Sequence, residues 1–277
     1  MRFTKMEGLG NDFIVTHDIP SGEENRLVES AERLCDRRRG IGADGLVLVL
    51  PSRSSDFRMR IINSDGSEAE MCGNGIRCFA KYVALHSLKE TTGLAIETLA
   101  GRMVTERSSN GMVRVNMQPP VLNAVQIPVN ITGERVIGYP LLIDSREFRF
   151  TAVSMGNPHA VIHTGELTDE LVLKVGPRIE CHPLFPKKIN VEFASVQSES
   201  EVCMRVWERG CGETQACGTG ACAVAVAGMI NGLHGHAVTV HLPGGDLFIE
   251  WGGNAADPVF MTGPANAVFS GTVPIPQ

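Results

Sequence analysis

Two stretches of this chain repeat one another, and that repetition is the strongest constraint on how it can fold. Residues 70–75 read Glu-Met-Cys-Gly-Asn-Gly, and residues 215–220 read Gln-Ala-Cys-Gly-Thr-Gly. The cysteines, Cys72 and Cys217, lie 145 positions apart in a chain of 277 residues. In that register residues 57–79 and 202–224 share six identities: Met59/Met204, Arg60/Arg205, Glu68/Glu213, Cys72/Cys217, Gly73/Gly218 and Gly75/Gly220. Gly10-Asn11 and Gly156-Asn157 match at an offset of 146. Several matches in one register point to a duplicated structural unit.

The local patterns duplicate as well. Residues 59–62 (MRII) and 204–207 (MRVW) read as strands from their branched and aromatic content. The spacing predicts helices over 76–88 and 221–233, with Gly232 as a stop for the second. Residues 94–106 and 237–251 each read as strand, glycine turn, strand, and 113–120 and 259–265 read as closing strands. The expectation is two α+β lobes of similar fold, joined after Pro119-Pro120, with no low-complexity linker.

Composition excludes several function classes. A net charge of −6 and a pI near 5.8 argue against a nucleic-acid footprint, which needs a basic face. The opening residues MRFTKMEGLGND hold no apolar run of the signal-peptide kind, which makes cytoplasmic location the default. The most apolar stretch, residues 216–230, is short and broken by glycine, so no membrane span is expected. The eight cysteines include no C-x-x-C pair, so no metal site is expected. Cys35, Cys78, Cys203 and Cys222 read as small buried hydrophobes. Residues 40–45 (GIGADG) match a dinucleotide motif only on paper. A basic helical stretch precedes them and a strand follows, the reverse of the required order.

Each repeated cysteine stands where a loop enters a helix. A helix start leaves amide hydrogens unpaired and carries partial positive charge. It can acidify a thiol, and the amides of Gly73-Asn74-Gly75 and Gly218-Thr219-Gly220 can hold an anion such as a carboxylate. A thiolate facing a thiol across one carbon is a two-base racemisation site: one removes the α-proton and the other protonates the opposite face. Inverting a near-symmetric centre calls for two similar half-sites. The plainer alternative is that both stretches are tight turns entering helices.

Residues 6–13 (MEGLGNDF), 40–45, 63–80 (NSDGSEAEMCGNGIRCFA), 153–161 (VSMGNPHAV), 205–222 (RVWERGCGETQACGTGAC), 242–245 (LPGG) and 261–265 (MTGPA) together resemble the diaminopimelate epimerase family, nearly end to end. The resemblance implies a cofactor-independent epimerase, free of pyridoxal phosphate, that interconverts LL- and meso-2,6-diaminopimelate for lysine and peptidoglycan precursor synthesis. It implies a cytoplasmic homodimer with a small-molecule substrate. Its fold would be two pseudo-symmetric lobes, each a curled, mostly antiparallel sheet around a central helix, with the active site in the cleft between them. The lobes would span 1–118 plus 263–277, carrying Cys72, and 119–262, carrying Cys217. By matched position Cys72 and Cys217 would be the acid–base pair, assisted by His159 and Glu208. Gly73, Asn74, Gly218 and Thr219 would hold the reacting carboxylate. Asn11, Asn63, Asn157, Asn190, Glu208 and Arg209 would bind the rest of the substrate. Two departures stand out: Gly45 replaces a glutamine common in bacterial relatives, and Cys211 replaces a small residue, which leaves its oxidative pairing with Cys217 open.

Three rival functions are weighed against this reading. A proline or hydroxyproline racemase uses the same two-cysteine plan, but its substrate has no distal carboxylate for Asn63, Asn190 and Arg209. A thiol hydrolase or transferase with His159 as base leaves the second cysteine unexplained. A non-catalytic amino-acid binding protein needs neither thiol. His17, His86, His163, His182, His234, His236 and His241 read as structural, and Arg37-Arg38-Arg39 as a solvated helix end.

Overall fold

The computed structural model describes residues 1–275. The chain divides into two compact units: Met1–Val115 together with the returning segment that begins at Thr262, and Asn116–Met261.

In the first unit the strands pair in the order Asn266–Thr272, Arg2–Gly8, Asn11–Thr16, Gly45–Leu50, Phe57–Asn63, Gly93–Thr98, Gly101–Arg107. In the second the order is Tyr139–Ile143, Arg146–Ser154, Pro158–His163, Asn190–Ser198, Glu201–Glu208, Ala237–Leu242, Gly245–Glu250. In both orders the third and fifth joins are parallel and the other joins antiparallel, and in both the fifth strand also pairs with a two-residue strand, Glu68–Ala69 or Gly212–Glu213. The duplicated sequence therefore encodes a duplicated α+β topology, as expected.

Each unit packs its sheet against one long helix, Gly73–Leu85 in the first and Gly218–Ile230 in the second. The second helix reads GTGACAVAVAGMI and is apolar on every side, the pattern of a helix surrounded by its own core. Residues 221–227 are at most 1% exposed. A further cluster, including Phe150, Ile179, Phe185, Val191 and Phe193, fills the second unit. Leu27, Leu34, Leu46, Leu48 and Ile62 form one in the first. Among the described residues no helix is long and apolar enough to cross a membrane.

The six repeated identities have physical explanations. Met59 and Met204 are core residues, 3% and 1% exposed. Arg60 Nε and Nη2 donate to both oxygens of Glu68 at 2.7 and 2.8 Å, and Arg205 Nε and Nη2 donate to both oxygens of Glu213 at 2.7 and 3.1 Å. This bidentate pair ties the strand to the loop that returns toward the cysteine, a geometry that Lys cannot reproduce. The remaining identities, Cys-Gly-x-Gly, build the helix start.

Both helices begin three residues earlier than their periodicity predicts, at Gly73 and Gly218 rather than 76 and 221. The cysteine itself is the cap. Cys72 (φ −138°, ψ 122°) and Cys217 (φ −117°, ψ 107°) are extended, and their sulfurs accept from the amides of Gly75 and Gly220, each at 3.4 Å. A sulfur thus takes the place of the usual Ser, Thr or Asp oxygen. Gly232, with φ +68°, follows the second helix as the predicted stop.

Candidate active site

The first half-site gathers at the start of the Gly73–Leu85 helix. The half-exposed Cys72 thiol donates to Asn11 Oδ1 at 3.7 Å, and Asn74 Nδ2 donates to the same oxygen at 3.3 Å. Asn11 is held in this orientation from behind, since its Nδ2 donates to Asp44 Oδ2 at 2.7 Å. Asn74 is held likewise by Arg77, whose guanidinium is fully buried. It donates to Asn74 Oδ1 at 2.9 Å, to the Gly73 carbonyl at 3.0 Å and to the Pro264 carbonyl at 3.1 Å.

Asp44 is fixed in turn. Arg37 bridges Asp12 and Asp44, with its closest contact to each at 2.8 Å, and Lys5 reaches Asp12 at 2.8 Å. Burial would raise the Asp12 carboxyl, but hydrogen bonds and charge from Arg37 and Lys5 outweigh it and hold it down at about 2. Arg37 is therefore not merely the solvated helix end its sequence suggests; the short helix ends at Cys35, which frees Arg37 to bind both carboxylates.

The second half-site is the acidic one. Cys217 is 5% exposed and carries a free thiol. Thr219 Oγ1 lies 3.4 Å from its sulfur, and the Glu208 carboxyl is near enough for its charge to act on the thiol. Thr214 Oγ1 donates to Glu208. Burial pushes the Glu208 carboxyl up, opposed first by the Thr214 hydrogen bond. Burial pushes the Cys217 thiol well above its ordinary value too, and the charges of Glu208 and Glu192 add to the effect. This corrects the expectation that a helix start acidifies this thiol: desolvation and two nearby carboxyls outweigh the helix's partial charge. A thiol held protonated in this way is suited to donate a proton.

Among the described residues His159 makes no hydrogen bond to Cys217. Its Nδ1 lies 2.6 Å from Glu192 Oε1 and its Nε2 lies 2.9 Å from Asn157 Oδ1, so both ring nitrogens are engaged elsewhere. Asn190, paired with His159 in register, uses its amide on the backbone: Nδ2 donates to the Pro158 carbonyl at 2.8 Å and Oδ1 accepts from Arg209 N at 2.9 Å. It thereby joins the Asn157-Pro158 turn to the Glu208-Arg209 loop. The exposed Arg209 side chain donates to the Lys187 carbonyl at 3.3 Å. Asn63 Nδ2 donates to Ser67 Oγ at 2.9 Å, the turn-forming role the residue type suggests. Gly45 begins its strand under the Ile62 carbonyl, which a Cβ would meet at 2.9 Å, so a longer residue requires a shift of that strand.

Three residues of these half-sites lie outside the sequence reading. Asp44 sits in the discounted GIGADG motif. Arg77 hides in the apolar helix IRCFA. Glu192 is the one charge inside the apolar run INVEFA (189–194) and is fully buried, which is the signal that could have singled it out. Burial pushes the Cys35 and Cys78 thiols up to about 12, so both fit the inert structural reading.

The family model described as diaminopimelate epimerase matches residues 3–123 and 151–268. This chain belongs to the diaminopimelate epimerase family. A curated diaminopimelate epimerase from Desulfitobacterium hafniense is 51% identical, over 99% of this chain and 98% of its own. One from Carboxydothermus hydrogenoformans is 54% identical, over 98% of each. Among solved structures, a hydroxyproline epimerase from Agrobacterium vitis with bound trans-4-hydroxy-L-proline superposes with a TM-score of 0.68, over 99% of this chain and 90% of that one. At 17% identity that likeness concerns the fold.

Proposed function

We propose that this chain epimerises 2,6-diaminopimelate between its LL and meso forms, using Cys72 and Cys217 as the two acid–base groups. The observation that carries the reading is the pair of sulfur-capped helix starts, one in each unit, in a chain about half identical to curated diaminopimelate epimerases. The reading requires the two sulfurs to address opposite faces of one α-carbon. In one direction the Cys72 thiolate takes the α-proton as the C–H bond breaks. The Cys217 S–H bond then breaks and its proton goes to the other face. Cys72 ends as the thiol and Cys217 as the thiolate; proton exchange with water after product release restores the starting state, and in the opposite conversion the two sulfurs exchange roles. The first-turn amides of both helices stabilise the charge that builds on the carboxylate during transfer. Arg209 binds the distal carboxylate and Glu208 assists Cys217. The product would serve lysine and peptidoglycan precursor synthesis.

The test is incubation with LL-diaminopimelate in deuterated water. Loss of the α-proton signal together with appearance of the meso isomer supports the reading, and an unchanged signal refutes it. The second reading, a proline-type racemase, draws on the fold shared with the hydroxyproline epimerase. Proline offered in the same assay separates the two, because it lacks the carboxylate that Arg209 would bind.

A further inference from the structure

The one fully buried carboxyl in the second half-site that the proposed chemistry leaves idle is Glu192. It and His159 are both 0% exposed, and their Nδ1 to Oε1 distance is 2.6 Å. Hydrogen-bond stoichiometry fixes what lies between them. Asn157 Oδ1 is a carboxamide oxygen and can only accept, so His159 Nε2 must carry a hydrogen to meet it at 2.9 Å. A neutral imidazole protonated on Nε2 presents a bare lone pair at Nδ1. Two lone pairs cannot face each other at 2.6 Å, so a second proton lies between Nδ1 and Oε1. The pair as a whole is net neutral and shares that proton.

Two further observations agree. Glu192 Oε2 is buried with no hydrogen-bond partner among the described residues, a burden that falls hardest on an isolated anion and is lessened by proton sharing. Glu192 Oε1 also lies 2.9 Å from the place a Cβ on Gly220 would occupy. The carboxyl is thus wedged under the first turn of the Cys217 helix, where the helix's partial positive charge favours it.

We propose that Glu192 is a positioning residue: by holding the proton on His159 Nδ1 it locks His159 with Nε2–H on Asn157, and so turns the Asn157 amide nitrogen outward to the substrate. Glu192 acts through His159, with no hydrogen bond to the Cys217 sulfur among the described residues. The kinetic part rests on the reading that Asn157 binds substrate; the proton part does not.

The experiment has two arms. In protein labelled with 15N-histidine, with His159→Gln used to assign the signal, wild type shows both His159 ring nitrogens protonated at neutral pH. Glu192→Gln shows Nε2 protonated and Nδ1 bare, because the glutamine amide donates to Nδ1 and no shared proton is needed. A bare Nδ1 in wild type overturns the proposal whatever the substrate proves to be. In the kinetic arm, Glu192→Val removes the lock; valine is the residue at the corresponding place in the first unit, Val47. KM for diaminopimelate rises about 10- to 100-fold, the scale of losing a buried polar partner, with kcat changed less. Glu192→Gln recovers most of that loss. Wild-type KM in Glu192→Val, or a Glu192→Gln enzyme as damaged as Glu192→Val, overturns the positioning role. If Glu192→Val fails to fold, the nitrogen signals of wild type and Glu192→Gln decide alone.

Discussion

His163 offers a way to destabilise the second half-site with acid alone. It is the last residue of the Pro158–His163 strand, which also carries His159. Burial, and then the nearby charge of His234, lowers its folded value from 6.5 to about 4. Its Nε2 is buried with no partner among the described residues, so the neutral ring is tolerated and the charged one is not. The unfolded chain takes up this proton near pH 6.5 and the folded chain only near pH 4, so between those values the unfolded state binds more protons. Stability therefore falls as pH drops from about 6.5 to about 4 and flattens below. At 1.36 kcal/mol per unit, a difference of 2.5 units gives a loss of about 3 kcal/mol. His163→Leu removes that dependence. Both tryptophans, Trp207 and Trp251, belong to the second unit, so urea unfolding followed by tryptophan fluorescence reads that unit alone. Other groups titrate equally in both proteins, so the wild-type minus variant difference isolates His163. Parallel stability curves for the two proteins between pH 7 and 4.5 would refute the reasoning.

Three predictions concern the chemistry. Cys72→Ser and Cys217→Ser keep a good helix cap but lose the thiol acidity, so each should retain its melting temperature within a few degrees while losing epimerisation; substantial turnover by either would remove the two-base assignment. Glu208→Gln removes the negative charge beside Cys217, so alkylation of Cys217, followed by peptide mass mapping, should reach a given rate at lower pH than in wild type, and an unchanged or higher pH would contradict the assignment of Glu208. Arg209→Met should lower kcat/KM for diaminopimelate at least about 30-fold, the low end for losing one partner of a charged hydrogen bond, and should narrow the preference over lysine; unchanged kinetics would place the distal carboxylate elsewhere.

What the sequence reveals of this protein follows from what repeats. Strands 57–63 and 201–208 and the hairpins after each long helix are legible because alternating burial and glycine turns are local signals. The helix starts were misplaced by three residues because a cysteine cap leaves no familiar Ser, Thr or Asp signature, and Gly-Asn-Gly and Gly-Thr-Gly read as loop. Cys72, Cys217, Asn11 and Asn74 were legible from the repeat and the family motifs, and the structure brings Asn11, Cys72 and Asn74 into one hydrogen-bonded group. Asp44 and Glu192 were not, because each acts through a partner distant in sequence; Arg77 holds Asn74 from three positions away, but its stretch reads only as apolar helix. Glu192 and His159 are 33 positions apart and meet only because their strands pair in parallel. Likewise, nothing local distinguishes Arg37, which binds two carboxylates, from Arg38 and Arg39 beside it.

The two units share a frame but not a charge. At the offset of the cysteine repeat, Asn63 corresponds to Glu208, Val47 to Glu192 and Arg77 to Cys222; at the offset of the asparagine match, Phe13 corresponds to His159. Where the second unit buries the Glu192–His159 pair, the first buries Val47 and Phe13, at 0% and 3% exposure. Where the first buries the Arg77 guanidinium at its helix start, the second buries a cysteine. A catalyst cannot shift the equilibrium between two isomers, so this asymmetry does not favour one product. It sets where the proton rests. A carboxylate beside Cys217 disfavours a second negative charge there, and the first unit has an amide, Asn63, at the position of Glu208. On the proposed chemistry the resting enzyme carries its exchangeable proton on Cys217 and meets first the isomer whose α-hydrogen faces Cys72. On that same proposal, the duplicated frame supplies two sulfurs at two helix starts, and the different residues behind them make one the resting acid and leave the other to act as base.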